Sequence, residues 1–168
     1  MTVLAFHDEV VRFLAEAQVG VQVPSPPWAA LLSKGEVGFA VHVDGEVLVA
    51  EWSSRGVSDG VRIVTRRLDV LERFVVVSFA SDWRSSNDLV RVSTWGGPAF
   101  MPLGVGVVAH EGGFAVTVAS EREPVAWGLT EADAARLARV VAYPIVEIVS
   151  SIRQPDGGPI FRIVLGRS

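Results

Sequence analysis

The stretch Val37-Gly-Phe-Ala-Val-His-Val-Asp-Gly-Glu-Val-Leu-Val-Ala-Glu-Trp-Ser53 decides the fold class. Two alternating segments, 37–43 and 46–53, flank Asp44-Gly45. Asp-Gly between alternating apolar runs signals a hairpin closed by a two-residue type I′ turn. That closure pairs Val41 with Leu48, Phe39 with Ala50 and Val37 with Trp52 on one face, the core face. Gly38, Ala40 and His42 then lie opposite Glu51, Val49 and Val47 on a face that is at least partly exposed.

A second hairpin follows the same logic. With Glu111-Gly112 at its turn, Val105, Val107 and Ala109 share a face with Phe114, Val116 and Val118. Strand-like runs are also expected at 61–65, 89–95 and 160–165, with a further strand somewhere in 120–127. Helical spacing of Phe6, Val10, Phe13, Leu14 and Ala17 predicts a helix over 5–17. A second helix is expected over 69–83, opened by a capping box of Asp69 and Glu72. A third runs over 130–142, with Thr130 as its cap and Asp133 in the box position. Pro144 fits the first turn of a short helix to Ile152, with Ile145, Ile148, Val149 and Ile152 helically spaced, and the alternative for 144–152 is a strand. Val23-Pro-Ser-Pro-Pro-Trp28 holds three prolines in four positions. It is therefore a loop, delivering Trp28 and the short apolar piece 29–32. The fold class expected is α+β: a mainly antiparallel sheet of hairpins packed against two to four helices, in a single domain over 1–168.

Composition narrows the function. The chain has 168 residues, 49% of them apolar and 20% charged, and a net charge of −4. A chain of that size buries roughly 70% of its unfolded surface, so its core needs no metal or disulfide. Fourteen Arg are interspersed with the acidic residues rather than gathered in a basic patch, which disfavours nucleic acid as a partner. Cysteine is absent, excluding a disulfide framework and a thiol nucleophile. The start of the chain shows no basic region of the kind that opens a signal peptide. The apolar runs are too broken to span a membrane.

Chemistry is sparse. His7, His42 and His110 are far apart in sequence, and a metal site would need a third converging ligand. His42 and His110 read as solvated residues near hairpin tips, and His7 as part of a charged helix start. The carboxylate pairs Asp8/Glu9, Glu121/Glu123 and Glu131/Asp133 fall at helix starts or in an exposed connection, where acids favour the macrodipole or solubilise. Gly96-Gly97 and Gly104-Val-Gly106 have no strand–loop–helix phosphate-binding context. The serine pairs lack a nucleophile elbow. No catalytic residue, metal or cofactor is expected. What is abundant is tryptophan, with five residues. Trp52, Trp83 and Trp127 read as core or semi-buried, whereas Trp28 and Trp95 flank Pro/Gly-rich loops and are candidate interface anchors.

Two stretches carry a family likeness: Arg67-Leu-Asp-Val-Leu-Glu-Arg-Phe-Val-Val-Val-Ser-Phe79, and the segment from Leu129-Thr-Glu-Ala through Ile145-Val-Glu-Ile-Val-Ser-Ser-Ile152 to Pro155-Asp-Gly-Gly-Pro-Ile-Phe161. Over roughly residues 35–166 the chain resembles the actinobacterial immunity proteins that include the antitoxin of the tuberculosis necrotizing toxin. The resemblance implies an α+β protein of the producer's cytoplasm. It would bind a toxin domain with NAD glycohydrolase activity, block its NAD site sterically, and have no activity of its own. Phe74 stands where the family pattern calls for Tyr.

The reading is therefore an immunity protein acting as an antitoxin, a monomer in a 1:1 complex with its toxin domain. Trp28, Trp95, Phe100 and Met101 would be the anchors. Asp59, Glu121 and Glu123 would form an acidic rim that steers a basic toxin. The alternative is a secretion chaperone or peptide-binding module that holds an extended segment on a free sheet edge. An enzyme of unknown type is the third possibility.

Overall fold

In a computed structural model, residues 4–22, 26–55, 57–93 and 101–163 are described. The elements are α1 (Asp8–Glu16), β1 (Gly20–Gln22), β2 (Trp28–Lys34), β3 (Val37–Asp44), β4 (Val47–Ser54), β5 (Val57–Thr65), α2 (Leu68–Ser86), β6 (Val92–Ser93), β7 (Val105–His110), β8 (Gly113–Val118), β9 (Ala126–Leu129), α3 (Glu131–Val140), α4 (Ile145–Arg153) and β10 (Arg162–Ile163). Eight strands form one antiparallel sheet in the order β1-β2-β3-β4-β5-β9-β8-β7, and β6 pairs with β10 separately. The fold is α+β, as the hairpins foretold.

The β3–β4 hairpin forms, but its register is shifted by two residues. Phe39 pairs with Trp52, Val41 with Ala50 and Val43 with Leu48, and Asp44 lies in the strand opposite Val47. The turn residues are Gly45 and Glu46, with Gly45 at φ +60°. A type II′ turn needs positive φ only at its first position, so glycine takes that place and Asp44 avoids a left-handed backbone. A two-residue slip preserves the pleat, so every side chain keeps its expected face. The β7–β8 register agrees with the reading from sequence, residue for residue.

The core lies between the sheet and the helices. Phe39 meets Trp52, Phe74 and Phe79 edge-on, with ring centroids 4.8, 5.7 and 5.8 Å apart. Such aromatic contacts add to the large apolar area these rings bury. Helix α2 is the hub. It packs against α1, α3 and α4 as well as β5. It buries Val70, Leu71, Phe74 to Val77, Phe79, Ala80 and Trp83, so apolar residues surround much of its circumference. Trp83 stacks on Phe13 and donates to the Glu16 carboxylate at 2.8 Å.

Several local expectations are corrected. The second helix has no capping box: its N-cap is Arg67, with no side-chain cap bond. Asp69 is drawn instead into ion pairs with Arg67 and Arg73, at 2.8 and 2.7 Å. Glu72 is buried and accepts from the backbone N–H of His7, tying the start of α1 to α2. The Thr130 cap of α3 forms as expected, accepting from the Asp133 N–H at 3.2 Å. Residues 145–153 are a helix, α4, burying Ile148, Val149 and Ile152 at helical spacing. Residues 29–32 belong to a strand that begins at Trp28. β5 begins earlier than expected, pairing along β4 from Ser54↔Val57. The strand expected over 89–95 is reduced to Val92–Ser93, with 94 and 95 outside the described residues. The last strand is Arg162–Ile163, paired with β6 rather than joined to the main sheet.

Glu72 carries a pH prediction. Burial pushes its carboxyl pKa up, against the lowering effects of the His7 bond and charge, while Asp69 adds to the rise. A raised folded-state pKa contributes stability that is present below the unfolded value and lost as pH rises through the folded one. Ionised Glu72 therefore weakens the fold at neutral pH. Glu72→Gln, which keeps an acceptor for His7, is expected to melt at a higher temperature than the parent at pH 7. The difference should vanish near pH 4. A lower melting temperature at both pH values would contradict this.

Candidate functional site

The four helices pack on the side of the sheet marked by Phe39, Val41, Ala50 and Ile63, and those residues belong to one continuous core cluster with the helical side chains. The opposite side has its own buried residues, Ala29, Ala40, Val49 and Ala115, which lie outside that cluster. Among the described residues no helix covers this face.

Register assembles one row across five strands of it. Trp28 on β2 pairs with His42 on β3, His42 with Val49 on β4, Val49 with Val64 on β5, and Val64 with Trp127 on β9. Directly paired residues share a face, so all five side chains stand on the open side. A second row sets Leu31, Ala40, Glu51 and Val61 beside it. Four inter-strand steps of about 4.8 Å separate the two tryptophans by roughly 19 Å. Val49 is 8% exposed and Val61 45% exposed, so the apolar character continues from the floor of the face to its rim.

Polar groups fringe this surface. Trp28 meets the His42 ring edge-on at 5.5 Å. His42 Nδ1 lies 4.0 Å from Glu51 Oε1 and makes no hydrogen bond among the described residues. Glu51 accepts from Ser58 Oγ at 2.9 Å. At the other end the Arg66 guanidinium sits 5.4 Å from the Trp127 ring centroid, a cation–π contact. Arg66 pairs with Glu123, and Arg67 with Glu121 at 3.0 Å. The hydrogen bond with Asp69 raises the Arg67 pKa, with burial opposing. The Asp69 carboxyl sits below its usual value: burial alone would raise it, but the bonds and charges of Arg67 and Arg73 prevail.

The residues expected from sequence are dispersed. Trp28 stands on the open face. Asp59 is exposed on β5. Glu121 and Glu123 are exposed, but each is paired with an arginine, so the local charge is mixed rather than purely acidic. Met101 is half-buried against the core, and Leu103, two residues on, is fully exposed. Trp95 and Phe100 lie outside the described residues. His110 is exposed and His7 caps α1 by accepting from the Glu9 N–H. No group of three or more His, Cys, Asp or Glu among the described residues is arranged to hold a metal. Trp127 is half-buried, within the core or semi-buried reading from sequence, but its place beside Val64 on the open face was not foreseen. The step from buried Ala126 to half-buried Trp127 is visible only once β9 has a partner on each side.

No helix of the described residues is long and apolar enough to cross a membrane. No curated protein sequence matches the chain. The fold is similar to that of Rv3902c from M. tuberculosis, with a TM-score of 0.82 over 97% of this chain and 98% of that one, at 16% sequence identity. The model of the family described as Immunity protein 61 matches residues 26–160, most of the molecule. The chain belongs to the Immunity protein 61 family.

Proposed function

We propose that this immunity protein neutralises a cognate toxin domain, an NAD glycohydrolase, by docking the open sheet face over its NAD site. The carrying observation is the row Trp28–His42–Val49–Val64–Trp127 on a face that no described helix covers. Membership of an immunity-protein family gives the role and makes the partner a toxin protein. The NAD glycohydrolase assignment rests on the sequence resemblance described above. Inhibition is steric and non-covalent, in a 1:1 complex formed in the producer's cytoplasm.

The size of the face suits the task. The five strands run from four to nine residues, and an average of about seven at roughly 3.3 Å each, across the 19 Å row, gives about 450 Å². A standard interface takes about 800 Å² from each partner, and the flanking loops supply the remainder. Trp95, Phe100 and Met101 enter as loop anchors on sequence grounds. Asp59, Glu121 and Glu123 are the candidate rim. Trp28 and Trp127 anchor the two ends of the row, each large, half-buried and joined to a polar neighbour, the character of interface hot spots.

The test is rescue of cells expressing the cognate toxin domain. Co-expression of the parent should restore growth, and Trp28→Ala/Trp127→Ala should not. Trp95→Ala/Phe100→Ala, read alongside, separates the sheet face from the loop. Full rescue by the first double variant would remove the sheet face from the interface. Capture of a disordered export segment, with none of the folded toxin domain, would favour the chaperone reading instead.

A further inference from the structure

A second feature lies on the helix side of the sheet. A cleft of about 180 Å³ opens between β3, β4, β5, α2 and α3, lined by Phe39, Trp52, Arg62, Phe74, Ser78, Asp133 and Arg136. Trp52, half-buried, supplies the aromatic wall, backed by Phe39 and Phe74, which are 3% and 1% exposed and meet edge-on at 5.7 Å. The charged wall holds two guanidiniums and one carboxylate. Asp133 Oδ1 accepts from Arg136 Nη1 at 3.1 Å, and Asp133 Oδ2 stands 3.7 Å from Arg62 Nη1. The same Oδ2 accepts from Thr130 Oγ1 at 2.8 Å. Asp133 is thus committed to three partners, and the wall keeps one positive charge in excess.

One donor in this wall is unanswered. Arg136 Nε is buried and has no hydrogen-bond acceptor among the described residues. The rest of the group is open: the Arg136 side chain is 40% exposed and that of Arg62 35%, so both guanidiniums can meet an anion entering the cleft. Guanidinium matches carboxylate in planar geometry and charge. The volume fits the same class of ligand, since a cavity of about 150 Å³ accepts a benzene ring. An accessible indole beside a wall of net positive charge suits a small ring bearing an acid.

We propose that this cleft binds a small aromatic carboxylate, its ring against Trp52 and its acid group on Arg136 and Arg62. Such a ligand bridges α3 to β5 and rigidifies the helix layer. The site is separate from the open sheet face, and the proposal does not rest on the toxin-binding reading.

The test is calorimetric titration of the full chain with benzoate, its neutral isostere benzamide, and inorganic phosphate. Benzoate is expected to bind saturably at one site and to perturb Trp52 fluorescence, a signal that Trp52→Phe removes. Benzamide, lacking the charge, and phosphate, lacking the ring, should each bind at least tenfold more weakly. Arg136→Gln should weaken benzoate at least tenfold at an unchanged melting temperature, and Arg62→Gln provides the same test should that variant fail to fold. Absence of saturable benzoate binding would overturn the proposal. So would benzamide or phosphate binding as tightly as benzoate, or unaltered binding by a folded arginine variant.

Discussion

Arg84→Met is expected to lower the melting temperature by about 10–20 °C, at a cost of roughly 4–6 kcal/mol. Arg84 is fully buried at the last turn of α2. Its guanidinium donates to four main-chain carbonyls, those of Val90, Ile152, Gln154 and Pro155, at 2.5 to 2.8 Å. These carbonyls lie at the end of α4 and in the segments after α2 and α4, which turn away from their helices and leave acceptors unsatisfied. Burial lowers the Arg84 pKa while the charge of Asp156 works against the change. The group nonetheless stays protonated, since Arg does not deprotonate in proteins. Met fills the same space but donates nothing, so several buried acceptors lose their partners together. Arg84→Lys should recover part of the loss, because an ammonium can reach some of the carbonyls but not span the fork. Thermal unfolding followed by circular dichroism decides the matter, and a fall of under 3 °C for the Met variant would show that water takes over the bonds.

For the proposed interface, Trp28→Ala/Trp127→Ala is expected to weaken toxin binding about a thousandfold. Truncating a hot-spot tryptophan costs about 2 kcal/mol or more, and two such losses total roughly 4 kcal/mol. Protection of a cell requires a dissociation constant near nanomolar, so a shift to about micromolar removes it. The two sites stand roughly 19 Å apart with no shared contact, and their effects should add. Both side chains are half-buried on a face outside the core, so the fold should survive. Direct titration of purified toxin domain reads the affinity, and the circular dichroism melt of the double variant guards against a trivial loss of structure. An affinity within threefold of the parent would exclude this row from the contact.

Most of the sheet was legible because hairpins are local. In 37–54 and 105–118 the turn, the pleat and the alternation all speak within a dozen residues, and even the two-residue slip at Gly45 left the faces intact. Thr130 was legible for the same reason: a cap is a bond between residues three apart. Asp69 and Glu72 have that spacing too, yet Arg67 and Arg73 claim the first and His7, 65 residues away, claims the second. Residues 144–152 were ambiguous because β-branched residues at helical spacing suit either state. Packing against α1 and α2 made them a helix. Of the candidate site, Trp28 was readable from the proline loop before it, whereas the place of Trp127 on the open face was not.

Sequence by itself determined the α+β class, the hairpins and their inward faces, the third helix with its cap, and the family likeness. All of these rest on periodicity and short-range bonds, which a single chain displays without a partner element. Tertiary structure alone decided which sheet face the helices would leave bare. Only the joining of β5 to β9, through Val64 and Trp127, brings two distant hairpins into one surface. It also decided the surroundings of Arg84 and Arg136. Burial and the direction of a donor depend on residues far along the chain, and no local pattern of side chains encodes them.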